Sequence, residues 1–173
     1  MLDMKANSLF LFLILISIKM TAQNTSQIKP CSAPEASQFD FWIGDWNLTW
    51  NDTSHGTNHV LKVMDGCTVN ENFNNPVANY LGQSWSVYNP NYKIWQQTWV
   101  DNTGGYIALT GKYENGIMTL STESRKLPDN SEIVFQMVYY HITLQRFDWK
   151  WQSSTDGGKT WKINWLIHYE RKA

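Results

Sequence analysis

From Asp45 onward the apolar and polar positions alternate with a period of two, which is the pattern of half-buried β-strands. Trp46, Leu48 and Trp50 alternate with Asn47 and Thr49. His59, Leu61 and Val63 then lead into a turn at Asp65-Gly66, after which Val69, Glu71 and Phe73 share a face. Further strands are predicted over residues 81–88 and 94–101, separated by Asn89-Pro90-Asn91, and over 106–113 and 117–122. The last two flank Asn115-Gly116, a pair suited to a tight hairpin because both of its residues tolerate positive φ. Segments 133–142, 147–153 and 161–169 complete the series. Before the alternation starts, Pro34 to Gly44 reads as one or two helical turns, with Pro34 suited to a first turn and Gly44 to an ending. Phe39, Trp42 and Ile43 would share a face there and plug one end of the strand assembly.

Such a chain is all-β, and short turns between consecutive strands favour an antiparallel up-and-down barrel of about 8–10 strands, because closure removes exposed sheet edges. A barrel of this size has room for one small ligand. A two-sheet sandwich is the structural alternative.

The N-terminal end is different in kind. Leu9 to Ile18 is an apolar run of about ten residues, against the roughly 20 needed to span a bilayer. Lys5 precedes it and Met20-Thr21-Ala22 follows, the layout of a cleavable secretory leader. The expected organisation is a signal peptide over 1–22, a polar arm over 23–34 and a barrel domain over 35–173. The mature chain would be secreted or periplasmic, with no membrane attachment after cleavage. Cys31 and Cys67 would then meet an oxidising compartment, where an even cysteine count favours a disulfide.

Composition narrows the function further. Fourteen basic residues stand against 15 acidic ones, a net charge of −1, so no basic surface is available for nucleic acid. Ten Trp, eight Tyr and seven Phe give large rings enough to fill a small barrel or to line a pocket in it. No Cys/His cluster has zinc-ligand spacing, no Gly-rich phosphate loop is present, and no nucleophile–base signature is recognisable, so the sequence calls for no metal or cofactor.

Two motifs stand out. Ser154-Thr155-Asp156-Gly157-Gly158-Lys159-Thr160-Trp161 matches the S-x-D-x-G-x-T-W Asp-box, whose carboxylate caps turn amides. A single copy in a chain of this length reads as a hairpin turn, not as a propeller blade. Phe39-Asp40-Phe41-Trp42-Ile43-Gly44-Asp45-Trp46 contains a G-x-W at the entrance to the first strand, as lipocalins do. This opening, together with Gly56-Thr57-Asn58, Asp65-Gly66-Cys67 with Glu71, Gly82-Gln83-Ser84, Trp95 to Asn102 and Gly104-Gly105, resembles a secreted domain-of-unknown-function family related to the calycins. The resemblance runs in order to the Asp-box hairpin and departs most over residues 124–140. It implies a lipocalin-like barrel and brings no reaction with it.

The candidate ligand-binding residues are Trp46, Glu71, Trp85, Gln97, Trp99 and Asp101. Period two puts Trp95, Gln97, Trp99 and Asp101 on one face, and an acid and an amide among indole rings suit a site with apolar walls and few polar contacts. The expected partner is a small, partly apolar or aromatic molecule. Three other readings stay open: a barrel enzyme, hydrolase or cyclase, using Glu71 or Asp101 as acid/base, a structural or interaction module whose barrel is filled by its own rings, and a nitrobindin-like haem barrel using His168 on the final strand. Against the haem reading, the alternation of Trp161, Ile163, Trp165, Ile167 and Tyr169 turns His168 to the opposite face.

Overall fold

Alternation is realised as pairing in the computed structural model, which describes residues 31–173 apart from residue 52. The leader and most of the arm expected over 1–34 lie outside the described residues. The strands are β1 (Gly44–Trp50), β2 (Ser54–Val63), β3 (Thr68–Asn75), β4 (Tyr80–Asn89), β5 (Ile94–Asp101) and β6 (Tyr106–Glu114). They continue with β7 (Ile117–Ser121), β8 (Arg125–Lys126), β9 (Glu132–Tyr140), β10 (Arg146–Ser154) and β11 (Lys162–Arg171). Every ladder is antiparallel, β1 pairs with β11, and β9 pairs with β10, so ten strands close into a barrel. The two-residue β8 continues alongside β9 beyond the end of β7. The fold is therefore the meander barrel and not the sandwich.

The lower end is sealed from within. Two short 3-10 turns, Pro34–Ser37 and Asp40–Trp42, carry Phe39 and Trp42 into complete burial. There Phe39 meets Trp95 and Tyr139 edge-on at 4.7 and 5.4 Å between ring centroids, the T-shaped geometry that aromatic quadrupoles favour. The indole N–H of Trp46 donates to the Trp42 carbonyl at 2.8 Å, which ties the plug to β1. Arg171, at the end of β11, lies with its guanidinium 4.2 Å over the Trp46 ring and donates to the carbonyls of Ile43, Phe41 and Leu144. Gly44 sits at φ 131°, and a Cβ there would collide with this guanidinium, so a glycine is required where plug becomes strand.

Three details of the alternation are corrected. On β2 the inward positions are Gly56, Asn58 and Val60, while His59 and Leu61 face out and His59 reaches Asp45 at 2.8 Å. On β11 a register shift against β10, between Trp151 and Gln152, pairs Gln152 with Ile163 and throws Ile163 onto the exposed face. The bulge breaks strict period two, as a single extra residue must. The last long strands are also cut differently: β9 ends at Tyr140, where His141 takes φ 52°, and not at residue 142.

The Asp-box forms the β10–β11 turn and does only local work. Asp156 accepts hydrogen bonds from the Lys159 and Thr160 amides and from the Thr160 and Ser154 hydroxyls. These donors, led by the Thr160 hydroxyl, lower its pKa to about 2.

Candidate functional site

The site is built where two paired strands present inward residues of opposite size. On β4 the inward residues are the small ones: Ser84 and Ser86 are fully buried, and Gly82 also points in. On β5 the inward residues are Trp95, Gln97 and Trp99, as the alternation predicts. A Cβ at Gly82 would overlap the Trp99 indole, so the glycine makes room for that ring. The same arrangement overturns the expectation for Trp85. It is 41% exposed on the outer face, because the interior beside β5 has room for Gly82, Ser84 and Ser86 and not for another indole. Trp85 does not line the cavity.

A Gly82→Ala substitution should therefore push Trp99 into the barrel, at a cost of about 1–3 kcal/mol for overpacking. A lowered denaturant midpoint with an altered tryptophan emission is the expected result. An unchanged spectrum would show that Trp99 keeps its place beside the added methyl.

The cavity has a volume of about 110 Å³ and lies toward the upper end of the barrel, away from the plug. Its walls are Phe73, Tyr80, Trp99, Trp149 and Trp165, with Met137 and Ile167 among the aliphatic contributions and Glu71 the charged one. Half-buried Trp151, Trp165 and Tyr80 stand toward the mouth, whereas Trp149 is 9% exposed and Tyr169 3%.

Glu71 comes inward from β3 between Val69 and Phe73 and is 6% exposed. Asn58 Nδ2 donates to its Oε1 at 2.7 Å, and Ser84 Oγ donates to its Oε2 at 2.6 Å. Gln97 Nε2 donates in turn to Ser84 Oγ at 3.3 Å and to Ser86 Oγ at 2.9 Å, while Asn58 Nδ2 also reaches the Tyr169 hydroxyl at 3.3 Å. Burial raises the Glu71 pKa from 4.5 to about 7 against the opposing pull of the Ser84 and Asn58 hydrogen bonds. Tyr139 and Tyr169 are held well above their ordinary range, by burial first and by the Glu71 charge second. Among the described residues no Lys, Arg or His forms an ion pair with Glu71. Asn58 Oδ1 and Gln97 Oε1 are buried and accept no hydrogen bond.

Asp101 sits apart from this network, at the upper rim. Its Oδ1 accepts from the Thr103 amide and hydroxyl and from the Gly105 amide, and its Oδ2 from the Tyr80 hydroxyl at 3.0 Å and the Trp99 indole at 3.1 Å. The Thr103 hydroxyl leads the interactions that hold its pKa below the ordinary carboxylate range, so it is a fixed anion that positions two wall rings. Tyr80 is pushed up to about 12, by burial and then by this bond to Asp101. Trp46 belongs to the plug at the other end and does not border the cavity.

Asn58 and Ser84 lie in Gly56-Thr57-Asn58 and Gly82-Gln83-Ser84, where the sequence marks no role for them, and Tyr169 is marked only by the apolar alternation of the last strand. Val60 on one face of β2 and Leu61 on the other leave the inward face, and with it Asn58, to be settled by pairing with β1 and β3.

His168 faces outward with its Nδ1 2.6 Å from Asp148, beside His141 on the same carboxylate. A wider groove of about 890 Å³ runs past these residues on the outer surface. Among the described residues no histidine lines the cavity, so His168, held outward on Asp148, is not placed to ligate a haem there. No helix among the described residues is long and apolar enough to cross a membrane. Comparison of the chain with protein-family models and with curated proteins finds no match. Fold and site together define a plugged, ten-stranded antiparallel barrel with a carboxyl group in an aromatic-walled interior.

Proposed function

We propose that this chain is an exported, calycin-like barrel that binds a small, partly apolar molecule in the cavity around Glu71. The observation that carries the reading is a buried carboxyl, oriented by Asn58 and Ser84, at the wall of an otherwise aromatic and aliphatic cavity. Ligand sites combine apolar walls with a few placed polar groups in this way. A core built for stability alone would favour an apolar residue at this position, because a buried charge is costly. Export is supported by the Cys31–Cys67 disulfide, a bond that persists in oxidising compartments.

The experiment is native mass spectrometry of the mature protein from its own host, followed by tryptophan-fluorescence titration with whatever molecule leaves with it. A stoichiometric adduct that quenches emission is the expected result. Glu71→Gln should then weaken the complex by about 1–3 kcal/mol, the worth of a hydrogen bond to a charged partner. Binding unchanged in that variant, with no turnover of the molecule lost, removes Glu71 from the site. An interior that takes up no small molecule ends the reading.

A second reading rests on the Glu71 pKa of about 7, which suits a group exchanging protons at neutral pH. In that case Glu71→Gln abolishes turnover of the captured molecule while leaving its binding largely intact. Asp101 takes no part in this reading, since its lowered pKa and turn contacts suit an anchor.

A further inference from the structure

The Glu71 cavity presents a carboxyl group for which the described residues supply no cationic partner. The Glu71 carboxylate has an acceptor position left on each oxygen after Asn58 and Ser84 are counted, since a carboxylate oxygen accepts two bonds. Behind the cavity wall, in the same network, Asn58 Oδ1 and Gln97 Oε1 are buried acceptors with no hydrogen bond, although neither residue lines the cavity. Buried charges in proteins are paired or neutralised. Here no basic side chain among the described residues supplies the pairing.

The remaining walls are the faces and edges of Trp99, Trp149, Trp165 and Tyr80. Aromatic rings attract cations through their quadrupoles, and rings gathered beside a carboxylate are the environment that recognises an organic ammonium group. Trp149 and Trp165 meet edge-to-face at 5.9 Å between centroids, with Phe73 against Trp165 at 5.7 Å, so the walls stand at angles around the space and do not stack across it.

We propose that the cavity binds a small organic cation, a primary or secondary alkylammonium whose N–H groups meet Glu71 and whose carbon atoms lie against the indoles. This inference rests on the binding-barrel reading and names the chemistry of its ligand. Size sets a further limit. An apolar cavity of about 150 Å³ takes a benzene molecule, so about 110 Å³ suits a group of roughly five heavy atoms, with any longer tail leaving by the mouth.

The titratable groups around Glu71 do not compete with it near neutral pH. Tyr80, Tyr139 and Tyr169 are all raised and stay protonated, and Asp101 is lowered and stays ionised. Ammonium binding should therefore strengthen as Glu71 loses its proton with rising pH, around the value of about 7.

The test uses three probes with one carbon skeleton: isobutylammonium, isobutanol and isobutyrate, titrated at pH 8 into the disulfide-intact protein. The readout is the indole N–H resonances of the cavity tryptophans. Isobutylammonium should bind roughly tenfold to a hundredfold more tightly than isobutanol, the range expected for a hydrogen-bonded charge pair. Isobutyrate should bind least. The ammonium preference should fade below pH 6 and in Glu71→Gln, and the pH series on the unaltered protein stands even if the variant misfolds. Equal affinity for ammonium and alcohol, or a preference for isobutyrate, would overturn the cation inference and leave small-molecule binding in place. No response to any of the three probes would overturn both.

Discussion

Glu71→Gln is expected to stabilise the ligand-free protein at pH 8 by about 3 kcal/mol and to flatten its stability between pH 4.5 and 7. The unfolded chain releases the Glu71 proton near its ordinary value of 4.5, whereas the folded protein keeps it until about 7. Below the first value both states are protonated and the group is neutral to stability. Between the two values the unfolded state gains by ionising and the folded state does not, so stability falls as pH rises. Above the second value both are ionised, and the folded state carries the full cost of a buried charge. Gln stays neutral throughout and can still accept from Asn58 and donate to Ser84. Urea midpoints at several pH values, at constant denaturant slope, measure the difference. A variant no more stable than the parent at pH 8 would show that Glu71 is solvated in solution. A cost kept at a site with a cavity beside it is what a binding group predicts, because a bound cation would offset it.

The fold was legible because its signals are local. Period-two alternation, the Asn115-Gly116 hairpin and the aromatic run from Phe39 to Trp46 each specify an element without reference to distant residues, and all of them form. Part of the site was legible for the same reason: Glu71 and Gln97 lie on inward faces marked by Val69, Phe73, Trp95 and Trp99. Hydrophobicity does not place Trp85, because volume decides which face of β4 goes inside. With Trp99 filling the space over Gly82, β4 buries its serines and exposes its indole. The sequence does not single out Asn58 over His59 and Leu61, because β2 offers apolar residues on both faces, and only its pairing with β3 and β1 settles which face is inside. The role of Arg171 depends on a contact with residues about 130 positions earlier in the chain, which no local pattern carries. Strand β8 and the β11 bulge opposite Trp151 and Gln152 are likewise products of closure, where register is fixed by neighbours.

Loss of the Cys31–Cys67 bond should cost about 3–4 kcal/mol in the chain-entropy treatment, given the 36-residue separation it closes. The closed segment contains the plug turns, β1 and β2, so in the unfolded chain the bond constrains all of them together. In the folded state much else holds the same elements: burial of Phe39 and Trp42, the Trp46–Trp42 hydrogen bond, Arg171 on the plug carbonyls, and the Lys62–Asp40 pair at 2.5 Å. The loss should therefore appear as reduced stability of an intact barrel and not as an unseated plug. A Cys31→Ser, Cys67→Ser double variant should show a lower urea midpoint and a steeper denaturant slope, since its unfolded chain exposes more surface. The bond lies at the plug end and the Glu71 cavity toward the other, so the affinity for isobutylammonium should stay within about twofold of the parent while the barrel remains folded. Two free thiols titrating in the denatured, unreduced protein would show that the bond does not form. A double variant with unchanged stability would show that packing around Phe39 and Trp42 already orders this segment in the unfolded chain.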